Sequence, residues 1–223
     1  MIKQTRKRIY GILFTALVLV TSMAAQQDNW VGSWATSEQV PEPQNSLAPS
    51  DLTDATVRQI VHLSIGGKTL RVHLSNAFGT TPLRLTSVHI ARPVSPAGSA
   101  IDAASDKGLL FGESPDVIIP PGAQYVSDPI DYPVAPLSDL AITFHVAVPP
   151  SPETGHPGSR ATTYILPGDV VSQTEMTGAK TVEHWYVIAG IDVSAPPGAF
   201  SVDRKSTRLN SSHCTPSRMP SSA

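Results

Sequence analysis

Val57-Arg58-Gln59-Ile60-Val61-His62-Leu63-Ser64-Ile65-Gly66-Gly67-Lys68-Thr69-Leu70-Arg71-Val72-His73-Leu74-Ser75 decides the fold class of this chain. Val57, Gln59, Val61, Leu63 and Ile65 alternate with Arg58, Ile60, His62 and Ser64. Beyond Gly66-Gly67, Leu70, Val72 and Leu74 alternate with Arg71, His73 and Ser75. A period of two puts alternate side chains on opposite faces, which is the pattern of a strand with one apolar face. Two such runs around Gly-Gly predict a two-residue β-hairpin, because glycine tolerates the positive φ that such turns need.

Working outward, Leu83, Leu85, Val88 and Ile90 predict the next strand, with an irregularity at Thr86-Ser87. Leu140, Ile142, Phe144 and Val146 alternate with Ala141, Thr143 and His145. Shorter strands are expected at Val31–Ala35, Leu109–Phe111, Asp116–Ile119, Gln124–Val126, Thr162–Leu166 and Val182–Val193. Turn clusters separate them: Pro120-Pro121-Gly122, Asp128-Pro129, Pro149-Pro150-Ser151-Pro152, Pro167-Gly168-Asp169 and Pro196-Pro197-Gly198. Glu38 to Ser50 reads as a loop. Outside the N-terminal segment, no clean helical stripe is visible. Many short strands with Pro/Gly turns predict an all-β fold, an antiparallel, jelly-roll-like β-sandwich.

The two ends read differently from the body. Lys3, Arg6, Lys7 and Arg8 precede an apolar run from Ile9 to Val20, followed by Ser22-Met23-Ala24-Ala25. This is the three-part layout of a secretory signal peptide, expected over residues 1–25. It implies a secreted or periplasmic protein with no stable membrane anchor. From Asp203 the composition shifts to Asp203-Arg204-Lys205-Ser206-Thr207-Arg208-Leu209-Asn210-Ser211-Ser212-His213. Back-translated with ordinary codons, this stretch resembles a short-read sequencing adapter. Ser217 to Ala223 resembles the adapter's far side, and the gap fits an index barcode. Residues 203–223 are therefore expected to be an artefactual, disordered tail, and the reading frame to be cut near Val202.

The body is residues 26–202. The chain carries 16 basic and 18 acidic residues; once the ends are set aside, 8 basic and 17 acidic remain, a net charge of −9. Such a body repels nucleic acid and anionic lipid, so no nucleic-acid partner is expected. Cys214, the one cysteine, lies in the tail, which leaves the body without disulfide, thiolate or Cys-based metal chemistry. About 177 residues are enough to build an apolar core without them.

The chemistry-bearing motifs are few. Ile65-Gly66-Gly67-Lys68-Thr69 ends like a phosphate-binding loop, but His62 stands where the leading glycine belongs, so it reads as a turn. Across the expected hairpin, His62 and His73 face each other. They could ligate a metal, yet no third ligand is placed nearby, and ordinary partly packed histidines are the simpler reading. His145 alternates outward from Phe144. His156, in Glu153-Thr154-Gly155-His156-Pro157-Gly158, is a loop histidine and the best candidate for a functional contact. Trp30, Trp34, Trp185 and Tyr186 fit either a sugar-stacking platform or inter-sheet packing, and packing is the expected use. No Gly-x-Ser-x-Gly elbow, His-Glu-x-x-His or Ca²⁺ loop occurs. No catalytic, cofactor-binding or metal residue is assigned.

Several stretches together resemble a known family. They are Trp30-Val31-Gly32-Ser33-Trp34-Ala35-Thr36-Ser37, then Leu52-Thr53-Asp54 leading into Val57–Val61, then Ser64–Lys68 and Leu70–Val72. Leu74-Ser75-Asn76-Ala77-Phe78-Gly79, Ile119–Ala123 and Ser127-Asp128-Pro129 continue the run. They are similar to the N-terminal accessory domain of secreted bacterial SGNH/GDSL-type hydrolases, over essentially all of Trp30 to Val202. The resemblance implies a following flavodoxin-like hydrolase domain as partner, with a Gly-Asp-Ser nucleophile strand, oxyanion residues and an Asp-x-x-His pair, acting on esters, carbohydrate esters among them. Gly-Asp-Ser occurs nowhere here, and Ala199-Phe200-Ser201-Val202 looks like the first half of that strand. The expected function is that of a non-catalytic N-terminal fragment of a secreted ester hydrolase. A free-standing polysaccharide-binding module is the alternative.

Overall fold

The computed structural model describes residues 29–201. The expected signal peptide and adapter-like tail lie outside the described residues. Fourteen strands are described: β1 (Trp30–Ala35), β2 (Ala55–His62), β3 (Gly67–Ser75), β4 (Leu83–Ala91), β5 (Lys107–Gly108), β6 (Val117–Ile119), β7 (Gln124–Val126), β8 (Ile130–Val134), β9 (Asp139–Val148), β10 (Gly155–Pro157), β11 (Thr163–Pro167), β12 (Lys180–Val182), β13 (His184–Tyr186) and β14 (Ile188–Ser194). One four-residue helix, α1 (Pro49–Leu52), closes the loop after β1, and a 3₁₀ turn spans Ala103–Ser105.

The fold is an all-β antiparallel sandwich, as the alternation predicts. One sheet has the order β1-β14-β3-β7, with β8 also on β3. The facing sheet runs β12-β11-β2-β9-β4-β5, with β6 also on β4. A two-stranded ribbon, β10-β13, sits beside them. Val57, Val61 and Leu63 of one sheet share a single apolar cluster with Leu70, Val72, Leu74 and Ile191 of the other. Fully burying one such side chain is worth about 1.5–3 kcal/mol, so this shared interior holds the two sheets together.

The strands after Gly66-Gly67 correct the hairpin expectation. β2 and β3 do not pair. β2 lies between β9 and β11, whereas β3 lies between β14 and the β7/β8 edge of the other sheet. The segment between them arches across the sandwich, so the two apolar stripes face one another through the core instead of lying side by side. Both glycines keep ordinary negative φ. Their role is close approach: a Cβ on Gly66 would stand 2.4 Å from the Val134 carbonyl oxygen, and one on Gly67 2.7 Å from that of Ser194.

β2 is buried on both faces. Loops around Ser99 and Val171–Gln173 cover its outer side, and Arg58 clamps them. The Arg58 guanidinium is fully buried and donates to Thr143 Oγ1 (2.8 Å) and to the carbonyls of Ser99 (2.6 Å), Val171 (3.1 Å) and Gln173 (2.7 Å). Under that cover Ile60, Ala91, Ile101 and Ala141 make a second small apolar cluster.

Two other expectations change. Leu109–Phe111 is not a strand; the pairing on β4 comes from Lys107–Gly108 instead. The expected run Val182–Val193 breaks at Glu183, between β12 and β13, and again at Val187, whose φ of 67° ends the β13 conformation before β14 begins. The irregularity foreseen at Thr86-Ser87 is present as register shifts in the β4–β9 pairing.

Candidate functional site

The Trp-Val-Gly-Ser-Trp stretch folds around a β-bulge. On β1, Gly32 pairs with Asp192 but Trp34 with Ile191, so Ser33 is the extra residue. Its hydroxyl donates to the Ile65 carbonyl (2.7 Å) and accepts the Ile65 N–H (3.2 Å), pinning the bulge to the arch. The bulge changes which face follows. Trp30 aligns with the outer face, and the Arg71 guanidinium stacks over its ring at 4.6 Å. Trp34 turns inward and meets Trp185 edge-on, with centroids 4.9 Å apart and planes at 87°.

Behind the bulge, Thr36 and Glu38 share the inward parity, between exposed Ala35, Ser37 and Gln39. Gln39 bridges to Gly155, whose strand carries His156. His156 stacks on Trp185 at 5.9 Å, and its Nδ1 donates to the Ser37 carbonyl at 2.6 Å. One end of the sandwich therefore gathers Trp34, Glu38, His156 and Trp185.

This cluster is polar underneath. Thr36 Oγ1, Glu38 Oε1 and Trp185 Nε1 are buried with no hydrogen-bond partner among the described residues, as is the hydroxyl of neighbouring Tyr186. Burial pushes the Glu38 carboxyl up to about 7, with the nearby Ser75 hydroxyl pulling the other way. Burial likewise pushes the Tyr186 hydroxyl up, and the charges of Glu153 and Asp51 add to it. Orphan buried groups of this kind cost free energy unless water or a ligand meets them. Glu38 was not singled out from the sequence. A lone acid in a polar loop gives no signal.

Each histidine considered from the sequence has a definite place. His62 and His73 lie in different sheets, so the expected facing pair does not form. His62 Nδ1 donates to Asp139 at 2.8 Å, and His73 Nε2 to Asp192 at 2.9 Å. Asp192 also receives Arg71 at 2.8 Å; burial would raise its carboxyl, but bonds from His73 and Arg71 hold it below the usual range. His145 is almost fully buried. Its Nε2 meets Asp54 Oδ1 at 3.0 Å and its Nδ1 meets Thr86 Oγ1 at 2.6 Å. The P-loop-like stretch is the arch and the start of β3, and its glycines abut carbonyl oxygens, the wrong polarity for a phosphate.

The four aromatics are not a platform. Trp34 and Trp185 are perpendicular, Arg71 covers one face of Trp30, and Tyr186 is 2 % exposed. Trp34, Trp185 and Tyr186 pack against the core, as expected, while Trp30 lies on the outer face under Arg71. Elsewhere lies a groove of about 950 Å³ whose lining includes Ile65, Lys68, Val134, Pro136, Pro196 and Ala199. Leu137 and Phe200, next in sequence to two of these, are 71 % and 72 % exposed. No protein-family model matches the chain, and no curated protein matches it.

Proposed function

We propose that residues 26–202 are the accessory β-domain of a secreted or periplasmic SGNH/GDSL-type ester hydrolase, a domain that does not turn over esters by itself. Several of the stretches that carry the resemblance perform scaffold work here. Ser33 ties the bulge to the arch. Asn76 Nδ2 donates to the carbonyls of Thr81 (2.9 Å) and Ile119 (3.0 Å), joining two of those stretches. Ser127 Oγ accepts the Val72 N–H at 3.0 Å, joining two more. A resemblance built of such contacts is one of scaffold and not of catalysis.

The observation that carries the reading is the apolar groove beside Ser194–Ala199, flanked by Leu137 and Phe200. An apolar groove edged by two exposed large apolar side chains suits a docking surface, and a hydrolase domain of the same protein is the partner the reading supplies. Ester hydrolysis then belongs to that domain, which brings the serine, its base and the oxyanion donors. The alternative, a polysaccharide-binding module, needs an open aromatic face, and no observation favours it.

The test compares this chain with a version extended through the downstream coding sequence, on a short-chain nitrophenyl ester. Multiple turnovers are expected from the extended protein only, and are lost on mutating its Gly-Asp-Ser serine. Sustained turnover by the short chain would overturn the reading.

A further inference from the structure

The geometry points to Thr86 as a covalent modification site: a hydroxyl activated by His145 and Asp54 that activated acyl esters acylate once. Asp54 is an acceptor, so His145 Nε2 must donate to it across 3.0 Å. In the neutral ring Nδ1 then holds the free lone pair, and Thr86 Oγ1 lies 2.6 Å from it as donor. The result is a hydroxyl–imidazole–carboxylate relay, recognised by geometry and not by position in the chain. Asp169 Oδ2 stands 3.7 Å from the same Nδ1.

Three separate segments build the relay. The irregularity in β4 presents Thr86, mid-β9 carries His145, and the turn before β2 brings Asp54 with a φ of 48°. The His145 side chain is 7 % exposed, which holds its orientation, while those of Asp54 and Asp169 are 74 % and 46 % exposed. Thr86 itself is half-buried. Thr86 is thus partly open to solvent, none of the relay residues lines the apolar groove, and the inference stands apart from the hydrolase reading.

In the step, Thr86 Oγ attacks the ester carbonyl carbon while its proton passes to His145 Nδ1. The carbonyl–oxygen bond to the nitrophenolate breaks. The leaving group takes the proton back from the imidazolium, leaving an acyl-threonine and a neutral histidine. One nitrophenol is released per chain.

The experiment incubates the intact chain with p-nitrophenyl acetate, quenches in acid and maps acetyl groups by peptide mass spectrometry. Treatment with hydroxylamine separates a labile threonine ester from stable lysine amides. The expected result is one hydroxylamine-labile acetyl on the peptide containing Thr86, absent in Thr86→Val. His145→Gln should slow it on the order of a hundredfold, the usual worth of a positioned base. Thr86→Ser keeps the relay with a less hindered hydroxyl and should react faster, which guards against a variant that merely fails to fold. No labile acetyl on Thr86 in either the native chain or Thr86→Ser would overturn the inference, and so would an unchanged rate in His145→Gln.

Discussion

Glu38→Gln is expected to raise the stability of this domain at pH 8 and leave it nearly unchanged at pH 5. The folded carboxyl keeps its proton up to about 7, against an ordinary value of 4.5. Between those values the native state binds more protons than the unfolded chain, so stability falls as pH rises. The favourable contribution is complete below about 4.5 and is lost on passing upward through about 7. Integrated without screening, the difference is about 3 kcal/mol; partial exposure of the side chain reduces the expectation to about 1–2 kcal/mol. Glutamine keeps the shape and has no charge to desolvate. Urea unfolding at pH 5, 6, 7 and 8 measures it, with the gap between variant and native protein as the readout. The gap should open progressively across that range. Parallel stability curves, or a variant less stable than the native protein at pH 8, would refute the buried-carboxyl argument.

Other perturbations test the fold that positions these groups. Arg58→Ala leaves four acceptors without their donor and removes the clamp on two loops, so a loss on the order of 3 kcal/mol is expected in denaturant titration. Gly66→Ala drives a methyl into the Val134 carbonyl and should cost more than Gly122→Ala, which meets open space and carries only the strain of a φ of 75°; thermal melts rank the two. Asp192→Asn should weaken the domain at neutral pH and flatten the acid limb of its stability curve. The native carboxylate's stabilisation is present above its unfolded value and lost as pH falls through its lower folded value.

The alternation in Val57–Ser75 by itself determined two strands, each with one apolar face, and the Pro/Gly clusters determined where most strands stop. The irregularity at Thr86-Ser87 was legible too, because two polar residues interrupt an otherwise regular stripe. Alternation does not say which strand lies beside which. A hairpin and an arch bury the same Val, Leu and Ile positions; the partners that β2 and β3 take in the two sheets distinguish them, and the carbonyls of Val134 and Ser194 crowd Gly66 and Gly67 in the arch. The bulge at Ser33 is invisible for the same reason: Trp30 and Trp34 share parity in sequence, yet one extra residue sends them to opposite faces. Arg58 reads as a solvent-facing residue until loops from 41 and more than 110 residues away supply its acceptors. His145 met Thr86 and Asp54, 59 and 91 residues distant, only because β9 lies between β2 and β4. Local pattern is set by the chain's own neighbours, whereas pairing, burial of charge and assembly of a relay depend on long-range contacts that no single stretch encodes.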